Sequence, residues 1–282
     1  MMRYEEFSRK DPTIKQLHIY PEEQVNSPYE LYIYTPDQPP PPSGFPVVYV
    51  LDGNALFQTV QHAISLQSRR TDATGVPAAV VVGIGYPGDQ PFNLKRRFYD
   101  YTPPATSTTL PPRPDGRPWP ENGAAEQFLS FLREEIQPFL VEHYQINPKQ
   151  QTIFGHSLGG LFALYTLFTK PDTFQGYIAT SPSIWWNERN VLDYVPSFLA
   201  NLENNKEAIR LFLSVGSLEK DHLIIDAKAL TARLESYNSN RFEVRYIEGE
   251  NENHMSIVPT VISKGLRFTL QNFIDIEGRT DR

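Results

Sequence analysis

The sequence predicts an α/β protein with a mostly parallel central sheet, helices on both faces, and a long loop over one end. Three observations predict it. Short runs that are nearly all apolar recur along the chain. Longer helical patterns separate them. One of the short runs passes straight into a helix through Gly155-His156-Ser157-Leu158-Gly159. Continuous apolar runs suit strands buried on both faces of a parallel sheet, and their alternation with helices suits crossover connections.

In chain order, residues 16–20 and 29–34 alternate in polarity between turn residues, as antiparallel edge strands do. Residues 46–51 (PVVYVL) and 78–84 (AAVVVGI) are almost wholly apolar, as are the cores of 151–154 and 210–215. Residues 176–180 and 242–248 complete the strand set. Helices are expected over 124–144, 157–168, 191–202, 222–237 and 256–273. In the first of these, Phe128, Phe131, Leu132, Ile136, Phe139 and Leu140 fall at three- and four-residue spacing and make one apolar face. Two stretches break the rhythm. Residues 36–46 (PDQPPPPSGFP) read as a stiff loop, and 85–123, rich in proline from Pro103 to Pro120, as an excursion over one end of the sheet. Strands of the same kind flank that excursion, so residues 1–282 are expected to form one domain.

Composition narrows the function. Of the 282 residues, 40% are hydrophobic and 12% aromatic, enough for a substantial core. The formal charge of -7 argues against nucleic acid or anionic membranes as general partners. With no cysteine, disulfides, thiol catalysis and cysteine metal sites are excluded. His18, His62, His143, His156, His222 and His254 are too dispersed for a recognised metal-ligand spacing, so neither metal nor organic cofactor is expected. The N-terminal MMRYEEFSRKDP lacks the apolar stretch of a secretory signal, and no run approaches the ~18 residues of a membrane span. A cytoplasmic protein is expected, with its oligomeric state open.

Gly-x-Ser-x-Gly is short enough to arise by chance, but a strand before it and a helix after it make a nucleophile elbow. The serine would sit in a strained turn. Its neighbours two positions away, Gly155 and Gly159, would be small because the backbones nearly touch. The other reading makes Ser157 an N-cap before a close-packed helix. His156 is expected to pack beneath the turn.

Partners decide between the readings. A base should follow the nucleophile in the chain, on a loop after a strand. His254 lies in such a polar loop after 242–248, whereas His222 reads as a surface residue opening a helix. An acid to orient the imidazole should follow 210–215. Glu219 and Asp221 are both available, and Glu219 is favoured, three residues after Gly216. Oxyanion donors are expected from the backbone N–H groups of Leu158 and, in the turn Asp52-Gly53-Asn54-Ala55, of Asn54. Asp52 there reads equally as the cap of an ordinary helix.

LDGNALF (51–57), VGIGYP (82–87), RRFYDYTPP (96–104), GHSLGGLFALY (155–165), SPSIWWN (181–187) and the His254 loop occur together and in order. The chain thereby resembles the esterase D-like α/β-hydrolases, and within them most resembles the siderophore trilactone esterases that hydrolyse enterobactin and bacillibactin. The similarity runs from about Tyr29 to Phe273. It implies the α/β-hydrolase fold, Ser157 as nucleophile, His254 as base, and Asn54 and Leu158 as oxyanion hole. Related enzymes usually carry aspartate where this chain has Glu219. The substrate it implies is a small ester, a catechol-siderophore trilactone or its ferric complex.

Arg96 and Arg97, in the long loop, are candidate ligands for catecholate oxygens. The alternative is that at least one pairs with Asp100 and fixes the loop. Trp185 and Trp186 are candidates to stack on catechol rings. Adjacent tryptophans split between core and surface, so one of them is expected in the pocket. Two further readings compete: a carboxylesterase or thioesterase for small acyl groups, and a hydrolase-fold binding protein without catalysis.

Overall fold

Nine strands form one sheet in the order β1-β2-β3-β5-β4-β6-β7-β8-β9. They are β1 (Arg3–Phe7), β2 (Ile14–Tyr20), β3 (Tyr29–Tyr34), β4 (Phe45–Leu51), β5 (Val80–Gly85), β6 (Ile146–His156), β7 (Gly176–Thr180), β8 (Ile209–Gly216) and β9 (Phe242–Gly249). The pairings β1/β2, β2/β3 and β3/β5 are antiparallel, and those from β5 through β4 to β9 are parallel. The computed structural model describes residues 2–7, 11–22, 28–106, 109–113, 115–202, 207–237 and 239–271.

The apolar runs sit where two-sided burial needs them. Every residue of β4, β5, β7 and β8 is buried. In β4, Val48 and Val50 pack on one face with Val60 and Ile64 of α1 (Gly53–Gln67) and Val261 and Ile262 of α9 (Ile257–Leu270). Val47, Tyr49 and Leu51 pack on the other with Phe128 of α4 (Ala125–Phe131), Leu161 and Leu164 of α6 (Leu158–Thr169), and Leu230 of α8 (Asp221–Glu235). This is the α/β-hydrolase fold. Among the described residues no helix is long and apolar enough to cross a membrane.

Four local differences from the sequence reading have physical causes. Strand β1, RYEEF, is exposed at all five positions and so carries no burial pattern to detect. The helix expected over 124–144 runs as α4, a π-helical turn (Leu132–Ile136) and α5 (Gln137–His143). Pro138 lacks the N–H that a regular helix would use, and a wider turn accommodates it. The helix expected over 191–202 is regular only as α7 (Val195–Asn201), where Pro196 fits the first turn. The long excursion contains a helix of its own, α3 (Leu94–Tyr101), whose first turn is capped by Asn93 accepting from the Arg96 N–H at 3.1 Å. The end of the last expected helix, Asn272 and Phe273, lies outside the described residues.

Candidate active site

Ser157 links β6 to α6 with φ 60° and ψ -115°, a region non-glycine residues rarely occupy. Three backbone bonds hold it there. Its N–H donates to Thr180 O at 3.0 Å, and its carbonyl accepts from Leu161 and Ser183 N–H, both at 3.0 Å. The side chain makes no helix cap. Leu158, at the first turn of α6, has an N–H with no intrahelical partner position ahead of it.

The two motif glycines are not equivalent. A Cβ on Gly155 would lie 2.1 Å from the Gly159 carbonyl oxygen. A Cβ on Gly159 would meet nothing nearer than Leu51 Cβ at 3.4 Å, an ordinary contact. The close approach expected of both residues thus belongs to Gly155 against the backbone of Gly159. Gly155→Ala should cost about 3 kcal/mol, the upper range for overpacking a tight interior, while Gly159→Ala should cost under about 1 kcal/mol. Urea unfolding of the two variants tests this, and equal losses would contradict it.

Two stitched loops bring His254 and Glu219 together. After β8 and β9, Ser217 N–H donates to Gly249 O at 2.9 Å, Leu218 N–H to Glu252 O at 2.9 Å, and Asn251 N–H to Ser217 Oγ at 2.9 Å. Asn253 Oδ1 accepts from Met255 and Ser256 N–H and closes the turn around the histidine. His254 Nδ1 then lies 2.6 Å from Glu219 Oε2. The other oxygen, Oε1, accepts from Gly216 N–H at 2.7 Å and from Ser181 Oγ–H at 2.5 Å. Asp221 sits exposed at the start of α8 and does not reach the imidazole. Ser181, with φ 48°, had no signal in the sequence, because its role depends on β7 lying beside β8.

Burial of the Glu219 side chain raises its pKa, but the hydrogen bonds from His254, Ser181 and Gly216 outweigh this and hold the carboxyl below its ordinary range. A carboxylate depressed in the fold contributes stability that is complete above its unfolded pKa and lost as pH falls through its folded value. The stability gap between the wild type and Glu219→Gln should therefore be full at neutral pH and close as pH drops below about 4.3, the ordinary glutamate value. A gap that widens in acid would contradict this. His156 packs beneath the turn as expected, its Nδ1–H donating to Thr180 O at 3.1 Å and its ring 4.5 Å from that of His254. Burial, with the nearby His254 and Arg97, lowers its pKa to about 3 and keeps it neutral.

Ser157 and His254 share a cleft of about 1150 Å³. Ser157 Oγ contacts Ser183 Oγ at 3.4 Å and is not hydrogen-bonded to the imidazole. Catalytic contacts of this kind often tighten only around substrate. Thr109, Leu110, Pro111, Pro112 and Trp119 of the long loop form one wall, so the excursion does cross the mouth. Trp185 lines the cleft with His222, 6.5 Å between ring centroids, whereas Trp186 is fully buried and donates from Nε1 to Pro103 O at 3.0 Å.

Arg96 and Arg97 do not line this cleft, which corrects their expected role as substrate ligands. Arg97 is buried and makes a bidentate pair with Asp52, Nε–Oδ1 at 3.0 Å and Nη2–Oδ2 at 2.9 Å. Arg96 lies 3.6 Å from Asp100 and over the rings of Tyr29 and Tyr86, at 4.7 and 4.9 Å. The alternative reading, in which one arginine pairs with Asp100, holds for Arg96, one helical turn away in α3, whereas the partner of Arg97, Asp52, comes from a distant turn that the sequence does not place beside it. The same finding corrects the capping reading of Asp52. Its backbone is left-handed, φ 52°, and its side chain goes to Arg97 and makes no cap. Asn54 fixes the same turn: its Oδ1 accepts from Tyr86 N–H at 2.8 Å and its Nδ2 donates to Tyr86 O at 2.9 Å. Neither Asn54 nor Leu158 is among the residues that line the cleft.

Comparison with known proteins decides the family. The Esterase family model matches residues 23–257. The chain belongs to this family. It is an ester hydrolase, and it is 44% identical over 248 residues to the ferri-bacillibactin esterase BesA of Bacillus subtilis, covering 87% of this chain and 86% of that protein. Among solved structures it is similar to the BES protein from Bacillus cereus, with a TM-score of 0.89 and 44% identity over 94% of this chain and 99% of that one. It is also similar to the siderophore hydrolase EstA from Aspergillus nidulans, with a TM-score of 0.75 and 29% identity over 93% and 97% of the two chains.

Proposed function

We propose that this esterase opens the ester bonds of a catechol-siderophore trilactone, iron-free or as its ferric complex, by serine catalysis in a single α/β-hydrolase domain. The observation that carries the catalytic reading is the 2.6 Å contact of His254 Nδ1 with buried Glu219, in the same cleft as a serine held on a strained turn. With Nδ1–H committed to Glu219, the lone pair on Nε2 is the one available to a substrate-bound Ser157.

Ser157 Oγ attacks the ester carbonyl carbon while His254 Nε2 takes its proton. The oxyanion is stabilised by the N–H groups of Leu158 and Asn54. The alkoxide leaving group departs with the proton from His254. Water then attacks the acyl-serine as the same imidazole takes its proton; the acyl–Oγ bond breaks as His254 returns that proton to Ser157 Oγ, and the carboxylic acid leaves. Glu219 orients the ring and offsets the charge of the imidazolium, which suits its depressed pKa. Trp185 is the aromatic wall against which a catechol ring would stack, and the relatives named above support that substrate class.

The test is a panel of ferric and iron-free catechol trilactones, a short aryl ester and an acyl thioester, compared by kcat/KM. A trilactone should lead by more than about 200-fold, the limit of discrimination by an apolar pocket alone. A flat profile would return the chain to the broader carboxylesterase reading.

A further inference from the structure

Three consecutive non-glycine residues, Asn187, Glu188 and Arg189, the last two lining the cleft, have left-handed backbones, with φ of 46°, 54° and 66°. Each such residue costs roughly 1 kcal/mol or more, so an uninterrupted run survives only where its surroundings impose it. Three contacts do so. Trp186 Nε1 and Asn187 Nδ2 donate to the carbonyls of Pro103 and Pro104 in the long loop, at 3.0 and 3.1 Å. Arg189 Nε donates to Asp226 Oδ1 on α8 at 2.7 Å. The strained turn is therefore clamped between the loop that crosses the mouth and α8.

The clamp fixes a cation. Asp226 is buried, and it fixes the guanidinium through Nε alone. The side chain of Arg189 stays about half exposed, 48%, and lines the cleft that holds Ser157 and His254. Lys220, at the N-terminal end of α8, lines the same cleft. Of the two carboxylates that line the cleft among the described residues, Glu219 is tied to His254, while Glu188 is exposed and can turn to solvent. Neither Arg96 nor Arg97 supplies positive charge here, so a chain of net charge -7 has its local positive lining at Arg189 and Lys220.

We propose that Arg189, held by Asp226 and supported by Lys220, is the subsite that reads anionic oxygens on the substrate and sets the preference for negatively charged esters. The inference deepens the proposed function and rests on the esterase reading of Ser157, but not on the substrate being a siderophore. The Nη1 and Nη2 edge of a guanidinium fixed through Nε matches two adjacent oxygens, such as a carboxylate or a catecholate pair.

The test uses two chromogenic probes of equal length that differ in charge: 4-nitrophenyl valerate and the half-ester 4-nitrophenyl glutarate, whose carboxylate replaces the terminal methyl. A ferric catechol trilactone is the third substrate. Arg189→Asn is the primary variant because asparagine tolerates a left-handed backbone. It should lower kcat/KM for both anionic substrates about 10-fold, through KM, and leave the valerate within about twofold. The loss should shrink as salt rises. Lys220→Gln should show a smaller loss of the same kind. Salt dependence of the glutarate-to-valerate ratio in the wild type tests the idea even if Arg189→Asn fails to fold. Equal losses on charged and neutral probes, or a glutarate-to-valerate ratio indifferent to salt, overturn the proposal. If the half-ester behaves as expected but no trilactone is hydrolysed, the siderophore reading falls and the anionic subsite stands.

Discussion

Ser157→Ala and His254→Ala should each cut kcat by about 10³-fold or more, and the double variant should lose little beyond either single change. The reason is that the two groups perform one step. The hydroxyl is a poor nucleophile until the imidazole takes its proton, and the imidazole has nothing to activate once the hydroxyl is gone. Glu219→Ala should cost less than either, because the strained turn and the oxyanion donors stay in place without it. Asp221→Ala, on an exposed first-turn residue, should be close to neutral. Steady-state kinetics on a short aryl ester decides all four. Additive losses in the double variant would mean that Ser157 and His254 act in separate steps.

The second large effect is on stability. Arg97→Ala leaves the Asp52 carboxylate, 1% exposed, without its bidentate partner. Removing one member of a buried pair typically costs about 3–5 kcal/mol, because the remaining charge stays desolvated. Asp52 also starts the turn that presents Asn54, and its N–H donates to Tyr101 Oη at 3.1 Å, so kcat should fall with stability. Replacing both partners, Asp52→Asn with Arg97→Met, should recover much of the stability, since no lone charge is left buried. Denaturant unfolding measures both variants. A loss under about 1 kcal/mol for Arg97→Ala would mean that water reaches Asp52 and that the pair is not structural.

What could be read from the sequence followed from local chemistry. The apolar runs of β4, β5, β7 and β8, the strand-to-helix passage at Ser157, and a histidine loop after the last strand are all contiguous patterns. The choice between Glu219 and Asp221 was not local. It depends on the bonds that stitch the loops after β8 and β9, and on Ser181 arriving from β7. Of the two arginines, Arg96 follows the local alternative and pairs with Asp100 one turn away, whereas the partner of Arg97, Asp52, is brought to it only by the fold. The tryptophan pair divided as adjacent residues do, Trp186 into the core and Trp185 onto the cleft. The left-handed turn at Asn187, Glu188 and Arg189 gives no sign in the sequence, since none of the three is glycine.

The most direct measurement is mass spectrometry of a ferric catechol trilactone incubated with the wild-type protein and with Ser157→Ala. The account predicts stepwise gain of one water per ester opened with the wild type and none with the variant. A trilactone left intact by wild-type protein that rapidly hydrolyses a neutral aryl ester would contradict it.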